Sequence, residues 1–242
     1  MFGTVHAFLV NLAFGVLLRP APRLQIPREK AADFDTFATR VMAANGETVP
    51  WDLPYPLHEF TRYLVREHAV LLHGSPRALD TIEPARQTDS SGTPVTAVFA
   101  TDDGIWPLFF ATLDRTTMAG GYSLRNAAIV VGHGTRGRRH YVFSLDRDSC
   151  QANAFGRGFL HVIPREGFQP SSQGIARFAE WVGEGTVAPL ARIEISPRDF
   201  PFHARISAHR RGEWFPLTWL FYRWRTRRDS LWANSQDIPD PD

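Results

Sequence analysis

The chain has 242 residues, 43% hydrophobic and 21% charged, the composition of an ordinary globular protein with room for a sizeable core. Its formal net charge is only +2, and aromatic residues make up 12% of it, which argues against long disorder outside the ends. The single cysteine, Cys150, excludes an internal disulfide framework and any site with several thiolate ligands, and it fits a reducing cytosol best.

An apolar stretch lies at residues 5–18 and is interrupted by His6 and Asn11. It is shorter than the roughly 20 residues that a membrane span needs. It lacks the preceding Lys or Arg and the small-residue cleavage site of a secretory signal. We interpret it as a packed helix; a membrane-touching helix, a signal peptide and a misassigned start codon are the alternatives. No transmembrane span is predicted, and the expected location is the cytoplasm, with a secreted effector left open.

Two helices are predicted before residue 69. Prolines first predict a connector over residues 19–34, because proline restricts its own backbone and that of the preceding residue. Apolar residues then recur every three or four positions over 31–44, and again from Leu57 onward. With the apolar stretch, these helices form a predicted helical N-terminal extension, residues 1–68.

From residue 69 onward the pattern is that of a sheet, with short apolar runs bounded by turn residues. The predicted strands are 69–73, 95–101, 127–132, 140–145, 159–163 and 190–195. Helical spacing interrupts them only around 104–114 and 175–181, which is too few helices for alternating βαβ units. The sequence therefore predicts an α+β fold with a mixed or antiparallel sheet and a core over residues 69–202.

The first of three motifs in this core is His73-Gly74-Ser75, at the end of the first predicted strand. Glycine allows a ligand to approach the backbone closely, and an imidazole at a strand end can hydrogen-bond a sugar hydroxyl. A His-Gly pair in this position is also explained by an ordinary turn.

The second motif is the run from Phe99 to Asp102, which includes Thr101 and is followed by Phe109 and Phe110. One of these rings could stack on a planar ligand, although aromatic residues in one helical stretch usually belong to a core. The third motif is Glu180, which stands between apolar neighbours where a carboxylate is costly to bury without a partner.

Taken in order, these motifs resemble the ADP-ribosyltransferase superfamily, the fold shared by diphtheria-type toxins and poly(ADP-ribose) polymerases. The family's His-Gly-Ser/Thr start is matched by residues 73–75, and its aromatic strand with a second aromatic about ten residues on by 99–102 and Phe109 or Phe110. Its Glu-aromatic-aliphatic strand start is matched by 180–182, with Val187 and 190–195 following. The resemblance covers residues 69–196.

The resemblance implies an α+β fold with an ADP-ribosyltransferase-like mixed or antiparallel split sheet, and NAD as a substrate. It implies a transfer of ADP-ribose to an unknown acceptor, or hydrolysis of NAD, with Glu180 as the catalytic carboxylate. The residues implied to bind NAD are His73, Gly74, Ser75, Phe99, Thr101, Phe109 and Phe110.

Two departures from the family pattern keep other functions open. Both candidates for the stacking residue, commonly Tyr, are Phe here, and Phe178 stands where many members that modify protein side chains carry an acidic residue or Gln. One alternative is therefore a catalytically silent binding module of the same fold. Another is an RNA 2′-phosphotransferase-like enzyme, which would use His73 together with arginines such as Arg77, Arg86, Arg115 and Arg125.

Several further features give weaker predictions. The Gly-rich segment 131–137 favours a hairpin loop over a phosphate cradle, and His133 and His140 are too isolated to indicate a metal site. Residues 203–242 form a basic, aromatic segment with an acidic tail. Within it, residues 205–228 hold seven arginines against one acid, a net charge of +6, interleaved with Trp and Tyr. Nucleic acid, an anionic surface or a solvated packing helix are all compatible with this pattern.

Overall fold

The computed structural model describes residues 2–89, 92–118, 123–132, 137–151 and 154–228. The helices are α1 Phe2–Leu17, α2 Arg28–Met42, α3 Leu57–Glu67, α4 Trp106–Thr112, α5 Arg147–Gln151 and α6 Phe215–Arg228. The first six strands are β1 Arg19–Pro20, β2 Val70–Ser75, β3 Ala85–Thr88, β4 Pro94–Thr101, β5 Leu124–Val131 and β6 Arg138–Asp146. The other six are β7 Gly158–Pro164, β8 Phe168–Pro170, β9 Ala176–Phe178, β10 Glu180–Gly183, β11 Ala191–Ile195 and β12 Ser207–His209.

The strands form two sheets, and the fold is α+β with mainly antiparallel pairing. The large sheet has the order β11-β7-β2-β4-β10-β8, with β3 also paired to β4. The small sheet has the order β1-β6-β5-β9, and β12 joins β6 in its one parallel pairing among the described residues. Strands β5 and β6 form the predicted hairpin, in which Val131 pairs with Arg138; part of the connecting segment, including His133, lies outside the described residues.

The predicted strands and most of the predicted helices are confirmed. Each of the six apolar runs corresponds to a strand of the structure, and the periodic segments before residue 69 and around 104–114 correspond to α2, α3 and α4. The connector over 19–34 was predicted too long. A short strand, β1, pairs with β6 at Arg19 and Pro20, and α2 begins at Arg28, directly after Pro27.

The predicted helix over 175–181 is wrong, because this segment forms β9 and β10. The spacing of Ile175, Phe178 and Trp181 suggested one helical face. Ile175 and Phe178 instead pack beside the small sheet, whereas Trp181 packs against the large sheet. The three-residue spacing of these side chains is therefore a coincidence, because they belong to two separate cores.

The largest core lies between the two sheets and includes the helices α2, α3 and α4. Phe34 and Phe37 of α2, Phe60 of α3 and Phe109 of α4 are all at most 1% exposed and belong to the same cluster as Phe143 of β6. Because α2 and α3 share this core with the sheets, they pack as one body with the predicted core over 69–202.

Candidate functional site

Three neighbouring strands of the large sheet carry the residues that the sequence singles out. Thr101 of β4 pairs with Leu72 of β2 on one side and with Glu180 of β10 on the other. Since strands lie about 4.8 Å apart and residues rise about 3.3 Å along a strand, the backbones of His73 and Glu180 are roughly 10 Å apart. Segments separated by about 100 residues in the sequence are thus brought to one place.

A gap interrupts the pairing along one edge of β4. Strand β2 pairs with β4 at Thr101, and β3 pairs with it only from Pro94 to Ala97. Between these pairings, the Nδ1 of His73 reaches the carbonyl oxygen of Phe99 at 2.8 Å. The imidazole therefore satisfies a backbone acceptor that a regular ladder would have used.

The hydrogen bonds define the tautomers of His73 and of the neighbouring His161. The carbonyl of Phe99 can only accept, so Nδ1 of His73 donates, and its Nε2 is an acceptor. Burial lowers the pKa of His73, and the charge of Arg115 acts in the same direction, so the ring is neutral near pH 7. His161 lies opposite it on β7, fully buried, with its Nε2 accepting from the backbone N–H of Leu79 at 3.0 Å.

Helix α4 packs against the large sheet at this point, on the face opposite to the side chain of His73. A Cβ on Gly74 would lie 1.9 Å from the carbonyl oxygen of Pro107 and 2.9 Å from the amide nitrogen of Ala111. Gly158 on β7 is in the same situation, 1.8 Å from the oxygen of Ala111. Both glycines are therefore required for the helix to pack on the sheet, and only Gly74 belongs to a motif that the sequence indicated.

Strand alternation places Glu180 on the face covered by α4 and His73 on the opposite face. Directly paired residues of an antiparallel sheet point to the same side, so Glu180, Thr101 and Leu72 share a face, and Gly74 and Phe99 follow at two-residue steps. His73 shares its face with Leu71 and His161. Glu180, Phe99 and the backbone of Gly74 thus lie on the face that α4 covers. The side chain of His73 lies on the opposite face and crosses the gap to the carbonyl of Phe99.

The structure distinguishes the two candidate stacking residues, Phe109 and Phe110. Phe109 is fully buried, with its ring 5.0 Å from that of Phe143 and 5.8 Å from that of Phe200. Phe110 is only partly buried and contacts the ring of Trp106 at 6.0 Å. Phe110 is therefore the residue of this pair that can present part of its ring to a ligand.

Glu180 begins β10 at the point where the chain crosses from one sheet to the other. The preceding residue, Ala179, donates its N–H to Ala128 of the small sheet at 2.9 Å, and its carbonyl accepts from the hydroxyl of Thr101 in the large sheet. Ala179 is fully buried, whereas Glu180 is half-buried. The hydrogen bond from Thr101 consequently fixes the backbone orientation just before Glu180.

Asp103, which lies outside the three sequence motifs, fixes the start of α4. One oxygen of this fully buried carboxylate accepts the N–H groups of Ile105 and Trp106 at 2.8 and 2.7 Å. The other accepts from the hydroxyl of Tyr141 at 2.7 Å, and Arg139 lies 2.8 Å from it as an ion pair. An Asp just before a helical run is a known capping signal and could have indicated this role.

Several other predicted contacts are structural or lie elsewhere. Ser75 is buried, and its hydroxyl accepts the N–H of Arg77 at 3.1 Å. Arg125 donates to Thr218 and to the carbonyl of Glu213, which ties it to the C-terminal segment and away from His73.

Neither a reactive thiol nor a metal cluster is found in the parts of the chain that the structure describes. Burial raises the pKa of the Cys150 thiol to about 12, so it is not a thiolate nucleophile at neutral pH. His140 is bound to Asn11 at 2.9 Å, and no group of three or more His, Cys, Asp or Glu in the described ranges could hold a metal ion.

Comparisons with protein-family models, with curated proteins and with solved structures give no match to this chain.

Proposed function

We propose that this protein binds NAD and transfers its ADP-ribose to an acceptor, or hydrolyses NAD, with Glu180 as the central carboxylate. The observation that carries the proposal is the adjacency of β2, β4 and β10, which brings Gly74, Phe99 and Glu180 together on the α4 side of the large sheet, with His73 directly behind them on the opposite face. The order of these motifs along the chain, which resembles that of ADP-ribosyltransferases, gives the arrangement its chemical interpretation.

The chemistry of the glycosidic bond suits the residues on the side of α4. Cleavage of the bond to nicotinamide develops positive charge on the ribose, and a preorganised carboxylate stabilises such charge best where water is scarce. Glu180 is half-buried at the sheet junction and held through Ala179, which limits its movement. The partly exposed ring of Phe110 offers a stacking surface for nicotinamide.

His73 suits recognition rather than acid-base catalysis. Its Nδ1–H is committed to the carbonyl of Phe99, and its Nε2 accepts, so it can receive a hydrogen bond from a ribose hydroxyl. Its lowered pKa keeps this acceptor available at neutral pH.

The decisive experiment measures release of nicotinamide from labelled NAD by wild type, Glu180→Gln and the control Glu184→Gln. Glu184 lies in the exposed turn directly after β10, so its substitution makes the same chemical change four residues away. We expect Glu180→Gln to lose at least about 100-fold in rate, the usual effect of removing one group that stabilises transition-state charge, while Glu184→Gln keeps the wild-type rate. Equal rates in all three proteins would refute the role of Glu180.

Binding separates the enzyme from a silent module of the same fold. Calorimetry with NAD should give the same affinity for wild type and Glu180→Gln, and a weaker one for Phe110→Ala. Binding without turnover by wild type would favour the silent module, and absence of binding would refute the NAD site altogether. Among the described residues no observation favours RNA 2′-phosphotransfer, since Arg125 is bound elsewhere and Arg115 is the one arginine of these ranges that lowers the pKa of His73.

A further inference from the structure

Helices α1 and α6 lie side by side on the outer face of the small sheet. From α1, Phe14 and Leu17 pack against the cluster that contains Ile129 and Val142 of the sheet, and Asn11 hydrogen-bonds to His140 of β6. From α6, Tyr222 is fully buried in the same cluster. Both helices are thus seated by one face on the same layer, so their other faces point to the same side.

The two helices also contact each other directly. The rings of Phe14 and Trp219 meet edge to face at 6.4 Å, and Arg223 donates to the carbonyl of Gly15. The end of α1 and the start of α6 line an open groove that is almost wholly apolar, with Leu17, Trp214 and Leu220 among its walls.

The outward faces of these helices are apolar, which is unusual for residues in contact with water. The exposed side chains, with their exposed fractions, are Phe8 67%, Leu9 58%, Leu12 58% and Val16 64% on α1, and Trp214 70%, Phe215 49%, Leu220 55%, Phe221 41% and Trp224 52% on or beside α6. Of the ten large hydrophobic side chains found exposed in the described ranges, only Met42 lies away from this surface, which we call the α1–α6 surface. A contiguous patch of this kind marks an interaction site.

Charge indicates what this surface binds. Helix α1 contains no charged residue, and α6 contains four arginines and no acid. Arg223 is used inside the protein, and Arg225 pairs with Glu213 at 2.8 Å, whereas Arg227 is exposed. The acid nearest to the surface in sequence, Glu213, is only 10% exposed.

From this we propose that the α1–α6 surface seats the protein on a bilayer containing anionic lipid, with both helices lying in the plane of the interface. Aromatic and aliphatic side chains would enter the boundary between headgroups and acyl chains, and arginine would contact anionic headgroups. Helix α1 has 16 residues, about 24 Å long at 1.5 Å per residue, shorter than the roughly 30 Å hydrocarbon core. Among the described residues, no helix meets the length and hydropathy needed to cross a membrane.

The same observations disfavour two other occupants. A second copy docked on this face would bring two arginine-bearing helices together with no acid on either α1 or α6. A nucleic acid would need free arginines beside stacking rings. Two of the α6 arginines have partners inside the protein. Four of the nine exposed side chains of the α1–α6 surface are aliphatic residues or phenylalanine on the uncharged helix α1.

The proposal is independent of NAD chemistry and is tested by flotation of the full chain with vesicles. Vesicles of neutral phosphatidylcholine are compared with vesicles that contain about one-third phosphatidylglycerol. We expect binding to the anionic vesicles, weaker binding to the neutral ones, and a decrease with added salt because surface charge is screened. Absence of binding to the anionic vesicles would overturn the proposal.

Matched variants test the surface itself. Leu9→Ser combined with Leu12→Ser should reduce binding at least tenfold, whereas Met42→Ser, an exposed apolar residue on α2, should bind like wild type. Trp224→Ser on α6 is a second variant that should also reduce binding, and it keeps the test valid if the double substitution disturbs the fold of α1. A reduction that is equal in Met42→Ser would contradict the proposal.

The charge contribution has its own pair of variants. Arg227→Gln should weaken binding to anionic vesicles about fivefold, the effect expected of one arginine near such a surface, while Arg66→Gln on α3 should leave it unchanged.

Light scattering and competition with an oligonucleotide test the two other occupants of the surface. A stable dimer that Leu9→Ser with Leu12→Ser abolishes would overturn the proposal in favour of self-association, and vesicle-competitive binding of an oligonucleotide would overturn it in favour of a nucleic-acid surface.

Discussion

Helices α4 and α1 are both strongly apolar, yet α4 is almost wholly buried, whereas five of the eleven α1 residues whose burial is described are exposed. Six of the seven residues of α4 are buried, because the helix lies between the large sheet and the aromatic residues Phe143 and Phe200. Helix α1 lies on the outside of the small sheet, where only one of its faces is covered. Burial therefore depends on the layers around a helix and not on its hydrophobicity alone.

The two regions also differ in how they use polar groups. Around α4, Asp103 and Thr101 are buried, and their hydrogen bonds are directed to the backbone at the start of the helix and of β10. On the α1–α6 surface, the polar groups hold the helices in place from the inside and leave an apolar exterior. The proposed catalytic site would depend on such rigid geometry, and the proposed interfacial surface on such an accessible apolar face.

The largest effect should come from removing the ring that fixes α4. Phe109→Ala should lower the free energy of unfolding by about 4 kcal/mol, because a fully buried phenylalanine leaves a cavity. Phe110→Ala, its neighbour, should cost less than half of that and act on ligand binding instead. Denaturant unfolding of both variants measures the difference, and equal losses would contradict the distinction between the two rings.

A smaller effect is expected from a methyl group under α4. Gly74→Ala would place its Cβ 1.9 Å from a backbone oxygen of the helix. We expect a loss of about 2 kcal/mol in the free energy of unfolding, as for other overpacked sites. Gly156→Ala is the control, because a Cβ there meets nothing within 4 Å. The idea that α4 rests on Gly74 fails if both variants unfold alike.

Acid should lower the free energy of unfolding through His161, which lies beside His73 in the large sheet. Burial lowers the pKa of His161 to about 4 from the ordinary 6.5, so between these values the unfolded chain binds more protons than the folded one. Stability is then complete above about pH 6.5 and falls as the pH is lowered toward 4, by up to about 1.4 kcal/mol per pH unit from this group. His161→Gln should show a shallower fall than wild type in unfolding experiments across this range, and an unchanged slope would rule out the contribution.

The smallest effect should come from the α1–α6 surface. Trp224→Ser should change the free energy of unfolding by less than about 0.5 kcal/mol, as for other surface substitutions. Tyr222→Ala, two residues earlier on the buried face, should cost several times more. A large loss in Trp224→Ser would show that this ring is part of the folded core and not available for docking.

The sequence by itself determined the positions of six strands, of α2, α3 and α4, and of the β5–β6 hairpin. These elements repeat apolar residues with the period of a strand or a helix, and turn residues bound them, so the information is local. It also placed His73 and Glu180 among the candidate residues through the order of the motifs.

Only the tertiary structure decided how residues 175–181 fold, which phenylalanine is partly exposed, and which apolar faces stay uncovered. Ile175 and Trp181 belong to different cores, and no local pattern reports that the chain changes sheet at Ala179. Phe109 and Phe110 are chemically identical and differ only in what packs around them. The exposed face of α1 is set in the same way, because burial is decided by which layers meet in space.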